Sequence, residues 1–316
     1  MIEQGEAGTA SDGTSDVPSE VASEITSDIV IRDLEGMEEY RAAFAFQDEI
    51  WGPGFTEGVP ASLQKVAQWV GGVAAGAFDG DEMVGFVFGI TGVRDGVLVH
   101  WSDILAVRSG IRDGGVGRRL KWHQRERALA AGAREVQWTW DPLEARNGWL
   151  NLERLGAFAD TYIEEMYGGS TSPLHTGIGT DRLVARWVLD DPRVVGAASE
   201  GRPPTREWPA GDPVVAFESS EEAAHDAAPD PQAIRPPEAG REYRVPVPRD
   251  LQSLKAGDPA TARAWRAATR RALAGALSGA ASGAVSGGPE GRWFVAGMHR
   301  TPDGLSAYRL LPSTSG

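Results

Sequence analysis

The amino-acid sequence predicts a mixed α/β fold, a central sheet with helices on its faces. Two stretches carry that prediction. Residues 73–107 hold three β-branched and apolar runs, 73–78, 83–90 and 97–107, parted by Asp79-Gly80-Asp81 and Asp95-Gly96, which reads as an antiparallel meander joined by tight turns. The third run meets a glycine-rich turn, a segment free of Pro and Gly to residue 131, and then a strand at 136–140. Strands 97–107 and 136–140 are therefore parallel, because a helix lies between them.

The other elements follow in order. Residues 1–27 contain acidic residues and no basic one among Ser, Thr and Gly, the composition of a disordered acidic tail. A short strand at 29–31 precedes a helix over 34–51, in which Met37, Tyr40, Phe44 and Ile50 recur at roughly helical spacing and Gly52-Pro53-Gly54 is the stop. A second helix, 59–70, has Pro60 early, where a missing N–H is harmless. The helix after the glycine turn closes at Gly132, and a further helix over 147–155 closes at Gly156. Strands at 157–167 and 183–189 come next. Residues 201–240 turn to Pro, Ala, Glu and Asp with little periodicity, a linker or exposed excursion.

The remainder, 241–316, reads as a helix at 251–277, a low-complexity loop at 278–288 and a hairpin from 293–298 and 307–311. In the helix, Leu254, Ala262, Trp265 and Ala268 are the buried candidates, and Arg263, Arg266, Arg270 and Arg271 are solvated or salt-bridged. One helix and one hairpin bury little alone, so this extension packs on the domain formed by 28–200 or on a partner subunit. Eleven tryptophans suit a pocket or a subunit contact, which makes a homodimer a candidate assembly.

Composition removes several function classes. A net charge of −14 argues against nucleic acid or an anionic membrane as partner, and no apolar run is long enough to cross a bilayer. Without a basic, apolar, small-residue leader the cytoplasm is the default compartment. No cysteine is present, and His100, His123, His175, His225 and His299 show no ligand spacing, so no metal is expected. A GxSxG nucleophile motif is also absent.

The chemistry points to the turn. Gly110, Gly114, Gly115 and Gly117 allow a ligand close to the backbone, and the helix that follows opens with N–H groups lacking intrahelical partners, a natural seat for phosphate. Arg108, Arg112, Arg118, Arg119, Lys121, Arg125 and Arg127 make a basic island in an acidic chain, suited to a small polyanion. Neither a GK[ST] P-loop nor the dinucleotide GxGxxG pattern is met.

What stands is Arg112-x-x-Gly115-x-Gly117 after a strand ending at Val107. This resembles the acyl-coenzyme A pyrophosphate loop of the GCN5-related N-acetyltransferase (GNAT) superfamily, with Ser109 where a proline is often found. One branch of predicted acyltransferases looks similar in LAV-x(4)-R-x-x-G-x-G, in WTWDPLEARN (138–147), in NLERLGA (151–157), in TDRLVARW (180–187) and more loosely in VPVPRDLQSL (245–254). The resemblance is strong over 30–190 and loose over 243–316.

It implies a GNAT-like acyl-CoA-binding domain at 28–200, with a mixed central sheet whose parallel strands splay to admit the pantetheine arm. The activity implied is N-acyl transfer of an acetyl or other short acyl group from a coenzyme A thioester to a small primary amine. Attack is direct in a ternary complex; an amino-acid acceptor and a succinyl donor fall within its range. Backbone N–H groups near Leu105, Ala106 and Val107 would hold the thioester carbonyl. Arg112, Asp113, Gly114, Gly115, Val116 and Gly117, with Arg118, would take the pyrophosphate, and Asn147 and Asn151 would touch the cofactor arm.

Three side chains are candidates for acid–base work. Asp103 has the strand parity of Leu105 and Val107, and His100, on the other face, accepts a proton near neutrality without a shift. Asp141 closes the neighbouring parallel strand, where a carboxylate faces the crevice and orients the amine, or else caps a turn. His100 as a satisfied sheet histidine and Asp103 as a strand-end ligand for a backbone group are the alternatives. Glu49 and Glu57 are weaker acceptor-site candidates. Many superfamily members carry a tyrosine four residues before a Gly-Phe pair to protonate the thiolate; here stand Leu152 and Gly156-Ala157, with Tyr162 and Tyr167 downstream. That departure keeps open a second reading, a non-catalytic acyl-CoA-binding or regulatory module.

Overall fold

The computed structural model of the chain describes residues 28–52, 57–168, 177–217, 228–278, 292–300 and 306–313, and at residues 112 and 113 the backbone alone. The expected tail 1–27, the stop at Pro53 and Gly54, and nearly all of the loop 278–288 lie outside these residues.

The meander forms as expected. Strand β1 (Val30–Asp33) pairs with β2 (Val73–Asp79), β2 with β3 (Glu82–Arg94), and β3 with β4 (Val97–Val107), all antiparallel. Two helices, α1 (Gly36–Trp51) and α2 (Ala61–Trp69), cover one face. From α1, Tyr40, Ala43 and Phe46 reach the core at helical spacing and meet Phe86, Ile104 and Ala106 of the sheet; Phe44, one step round, is exposed. On the opposite face α3 (Val116–Ala130) lays Val116 and Leu120 on Val87, Leu105 and Val107.

Strand β5 (Glu135–Trp140) then runs parallel to β4, and β7 (Arg182–Val188) and β6 (Phe158–Ile163) continue the sheet. The predicted helix after β5 is divided into α4 (Ala145–Trp149) and one π turn, Leu150–Arg154, in which the Leu155 N–H reaches back to Leu150 O at 3.0 Å. A helix absent from the expected elements, α5 (Pro192–Glu200), starts on the Asp191 carboxylate, which accepts the Arg193 N–H at 2.7 Å, with Pro192 at its first position.

The C-terminal part adds strands to the same sheet. Residues Trp293–Arg300 (β10) pair with Ser306–Pro312 (β11), the predicted hairpin; β11 also pairs with β9 (Tyr243–Val247), and β9 with the two-residue β8 (Val214–Val215) inside the expected linker. The order of the eleven strands in the described residues is β1-β2-β3-β4-β5-β7-β6-β10-β11-β9-β8. The predicted helix 251–277 is two, α6 (Leu251–Gly257) and α7 (Pro259–Ser278), because Pro259 disfavours a helical Asp258, whose carboxylate instead accepts the N–H groups of Ala260 and Thr261.

The join between the halves is narrow in backbone terms, a single register pair, Val295 with Ala159. Side chains reinforce it. Trp140 Nε1 donates to Tyr308 Oη at 2.9 Å, the Met298 N–H to Glu153 Oε1 at 2.7 Å, and Arg270 grips Asp181 at 2.6 Å. Trp265, Tyr243 and Tyr308 are buried in the core that results. No helix among the described residues is long and apolar enough to cross a membrane, and no group of His, Asp and Glu there could hold a metal.

Candidate active site

The site grows out of the place where β4 and β5 part. These parallel strands pair only at Val99 to Trp101 with Glu135 to Gln137; beyond that they diverge. A bulge begins the divergence. The β3 register passes from Gly89 opposite Ser102 to Phe88 opposite Ile104, so Asp103 is the extra residue, and a bulge of this kind bends its strand. Behind the fork, Lys121 of α3 is wholly buried: its Nζ donates to Ser102 Oγ at 3.0 Å and Gln124 Oε1 at 2.9 Å and lies 3.7 Å from the Trp138 ring centre. That amine ties β4 to β5 where the backbone ladder has ended.

The bulge corrects the expected parity. His100 and Ser102 share the α3 face with Leu105 and Val107, whereas Asp103 accepts a hydrogen bond from the Trp101 side chain and feels the charge of Glu57. His100 is fully buried, with Nδ1 2.9 Å from Thr91 Oγ1 and Nε2 3.1 Å from Gln124 Nε2. Burial, with the nearby Lys121, pushes its pKa down to about 3, so the ring is neutral across the ordinary pH range. It is the satisfied sheet histidine, out of reach of the crevice. Asp103 reaches solvent; partial desolvation of its carboxyl, with Glu57 adding, raises its pKa against the Trp101 bond.

Around the front of the gap stand further polar groups. Tyr167 Oη lies 3.0 Å from Thr139 Oγ1 on β5, and the Arg182 guanidinium sits 5.2 Å from the Tyr167 ring centre. Arg182 and Asp103 both feel the charge of Glu57. Tyr162 is anchored elsewhere, donating to Asp181 Oδ2 at 2.5 Å, and burial first, then Asp181, holds its phenol protonated. Glu49 is engaged as well, accepting Arg108 Nε at 2.7 Å.

Asp141 also differs from its expected catalytic role. One oxygen accepts the Leu143 N–H at 2.8 Å and the other Arg266 Nη2 at 2.6 Å, with Arg182 at 3.9 Å, in a buried setting. It caps the turn and fastens α7 to the end of β5. Arg266, one of the four arginines expected to be solvated or salt-bridged, is that partner. Asp141→Ala leaves a buried guanidinium uncompensated and is expected to lower stability by about 3–5 kcal/mol. Denaturant unfolding measures this; a loss of turnover with unchanged stability would return Asp141 to the acceptor site.

At the α3 end, the 3₁₀ turn Ser109–Gly114 leads to Gly115, whose φ of 75° lies in the left-handed region natural to glycine. Helix α3 opens at once, and its first turn presents the N–H groups of Val116, Gly117 and Arg118. A Cβ on Gly117 would lie 3.5 Å from Val107 Cγ2, so the turn is packed on the last residue of β4. The basic island is mostly committed: Arg108 to Glu49 and Glu82, Arg119 to Ile29 O, Arg125 to Leu189 O, and Arg127 to Asp33. Arg118 donates to Ala197 O at 3.2 Å, and its Nε is buried without a hydrogen-bond partner among the described residues.

The strand edge behaves selectively. The Arg108 N–H bonds Val84 O at 3.0 Å, so by alternation the Ala106 N–H turns toward Phe86 of β3, and those of Leu105 and Val107 turn into the gap. Ala106 thus leaves the expected carbonyl-holding set. Asn151 Oδ1 accepts Trp138 Nε1 at 3.3 Å and is buried, whereas Asn147 is exposed on α4. Leu152, at the usual tyrosine position, is buried in the core.

No protein-family model matches the sequence, and no curated relative does. Solved structures align with about half of it. An acetyltransferase of the GNAT family from Streptococcus pneumoniae is 19% identical over 50% of this chain and 97% of its own, TM-score 0.41. The ribosomal-protein-S18-alanine N-acetyltransferase from Escherichia coli is 16% identical over 50% and 92%, TM-score 0.39. Arabidopsis thaliana Naa50, in complex with the bisubstrate analogue CoA-Ac-MVNAL, is 12% identical over 50% and 97%, TM-score 0.40.

Proposed function

We propose that the chain is an N-acyltransferase, moving an acetyl or other short acyl group from a coenzyme A thioester to a small primary amine, with amino acids among the acceptors. One observation carries this reading: β4 and β5 part directly in front of a helix that opens on Gly115 and Gly117. That arrangement suits a ligand with a diphosphate at one end and a slender arm that must pass through a sheet. The diphosphate would lie on the α3 first turn with Arg118, and the backbone of 112–114 borders it.

The thioester carbonyl would then accept from the Leu105 and Val107 N–H groups, which stabilise the oxyanion as the amine attacks. The C–N bond forms, the C–S bond breaks, and the ammonium proton passes to Asp103, directly or through one water. Solvent supplies the thiolate proton, because Leu152 offers none. Glu57, Tyr167 and Arg182 border the acceptor.

Calorimetric titration with acetyl-CoA and succinyl-CoA, followed by free-thiol assays against pooled amines, tests the proposal. Binding and amine-dependent thiol release are expected. Binding with no turnover from any donor would make the chain a binding module, and no binding would remove both readings.

A further inference from the structure

A cavity of about 310 Å³ opens beside the cofactor cradle, and arginine dominates its lining. Arg154 comes from the π turn, Arg193 from α5, Arg202 and Arg206 from the segment after α5, and Arg309 from β11; among the described residues Glu153 is the one acidic residue lining it. Arg309 is neutralised by Glu242 and stacks 3.4 Å from the Trp208 ring centre. Glu153 already accepts the Met298 N–H. Four guanidinium groups thus face one carboxylate.

Their hydrogen-bonding capacity is underused. Arg193 donates to Pro204 O at 2.6 Å, but the Nε atoms of Arg193 and Arg206 are buried without hydrogen-bond partners among the described residues. Burial lowers the pKa of both, and for Arg206 the charge of Arg193 adds to it. An acidic chain that crowds like charges into a concave surface gains only if an anion joins them. Trp149 and Trp208 supply flat apolar walls.

The cavity lies close to the cradle. Arg118 of the α3 first turn lies within 3.7 Å of the Cβ position at Gly201, next to Arg202, and Arg154 acts on it as a like charge.

We infer that this cavity binds a phosphomonoester dianion carried on an aromatic nucleoside-sized group. Planar guanidinium forks match the phosphate oxygens, the tryptophans take the ring, and the volume suits a nucleotide. Two sources share this chemistry. One is the 3′-phosphoadenosine end of a coenzyme A lying on the α3 turn, an assignment that rests on the transferase reading; the other is a separate phosphorylated nucleoside.

Calorimetry on the full chain with coenzyme A, 3′-dephospho-coenzyme A and adenosine 3′,5′-bisphosphate separates them. The proteins compared are the parent, Arg154→Gln/Arg206→Gln, Arg154→Gln alone and Gly117→Val. Arg154 is exposed with no partner among the described residues, so its single variant keeps the test valid if the double variant misfolds. From the first source, coenzyme A binds the parent roughly ten- to a hundredfold more tightly than the dephospho form, and the arginine variants erase that gap while leaving dephospho-coenzyme A affinity unchanged. From the second, the bisphosphate binds the parent and Gly117→Val equally, binds alongside coenzyme A, and weakens in the arginine variants. If no ligand is sensitive to the arginine variants, the inference is overturned. If only Gly117→Val leaves coenzyme A affinity unmoved, the cradle reading fails and the cavity stands.

Discussion

Gly117→Val is expected to weaken coenzyme A binding by about a hundredfold or more while the protein still folds. The site demands proximity rather than a special backbone angle: a Cβ there would make ordinary contacts with Val107 and Leu105, at 3.5 and 3.9 Å. The fold tolerates the first carbon, and the branching methyls fall where the diphosphate must approach the first-turn N–H groups. Charge-assisted hydrogen bonds contribute roughly 1.5–3 kcal/mol each, so losing two accounts for the effect. Gly115 fails for another reason, since a side chain at φ 75° costs about 1–2 kcal/mol and lowers stability as well. Calorimetry beside a thermal melt separates the two, and unchanged affinity in folded Gly117→Val would place the diphosphate elsewhere.

Asp103→Asn should lower turnover by roughly two to four orders of magnitude, the usual contribution of a positioned base, with coenzyme A affinity little changed. The carboxyl must be ionised to accept a proton. Because desolvation and the Glu57 charge raise its pKa, the parent rate climbs with pH through a midpoint above the ordinary aspartate value, and the asparagine variant loses that acid limb. Glu57→Gln removes a like charge and should move the limb to lower pH. A limb unaltered in Asp103→Asn would show that the base lies elsewhere.

Much of this architecture was legible because local signals coincided. Strand 97–107 was bounded by Asp95-Gly96 and by the glycine turn, and the observed β4 has those bounds. The bulge at Asp103 was hidden. The run Asp-Ile-Leu-Ala-Val has no polar alternation, so one inserted residue leaves no trace in the pattern while exchanging the faces of His100 and Asp103. The Asp141 partner, Arg266, stands 125 positions away, and no local rule reaches that far. Likewise the arginine cavity draws on residues from Trp149 to Arg309, brought together only by the folding of the chain. Helix α5 is different: Asp191-Pro192 is a local start signal, a capping carboxylate followed by a proline at the first helical position.

The strand order has a consequence for shortening this protein. The outermost strands are the four-residue β1 and the two-residue β8, so the sheet presents little backbone for another chain to zip onto. Cutting after residue 200 would make β6, six residues long, the new boundary and strip Tyr308 from Trp140. Such a fragment invites self-association instead of yielding a minimal folded unit.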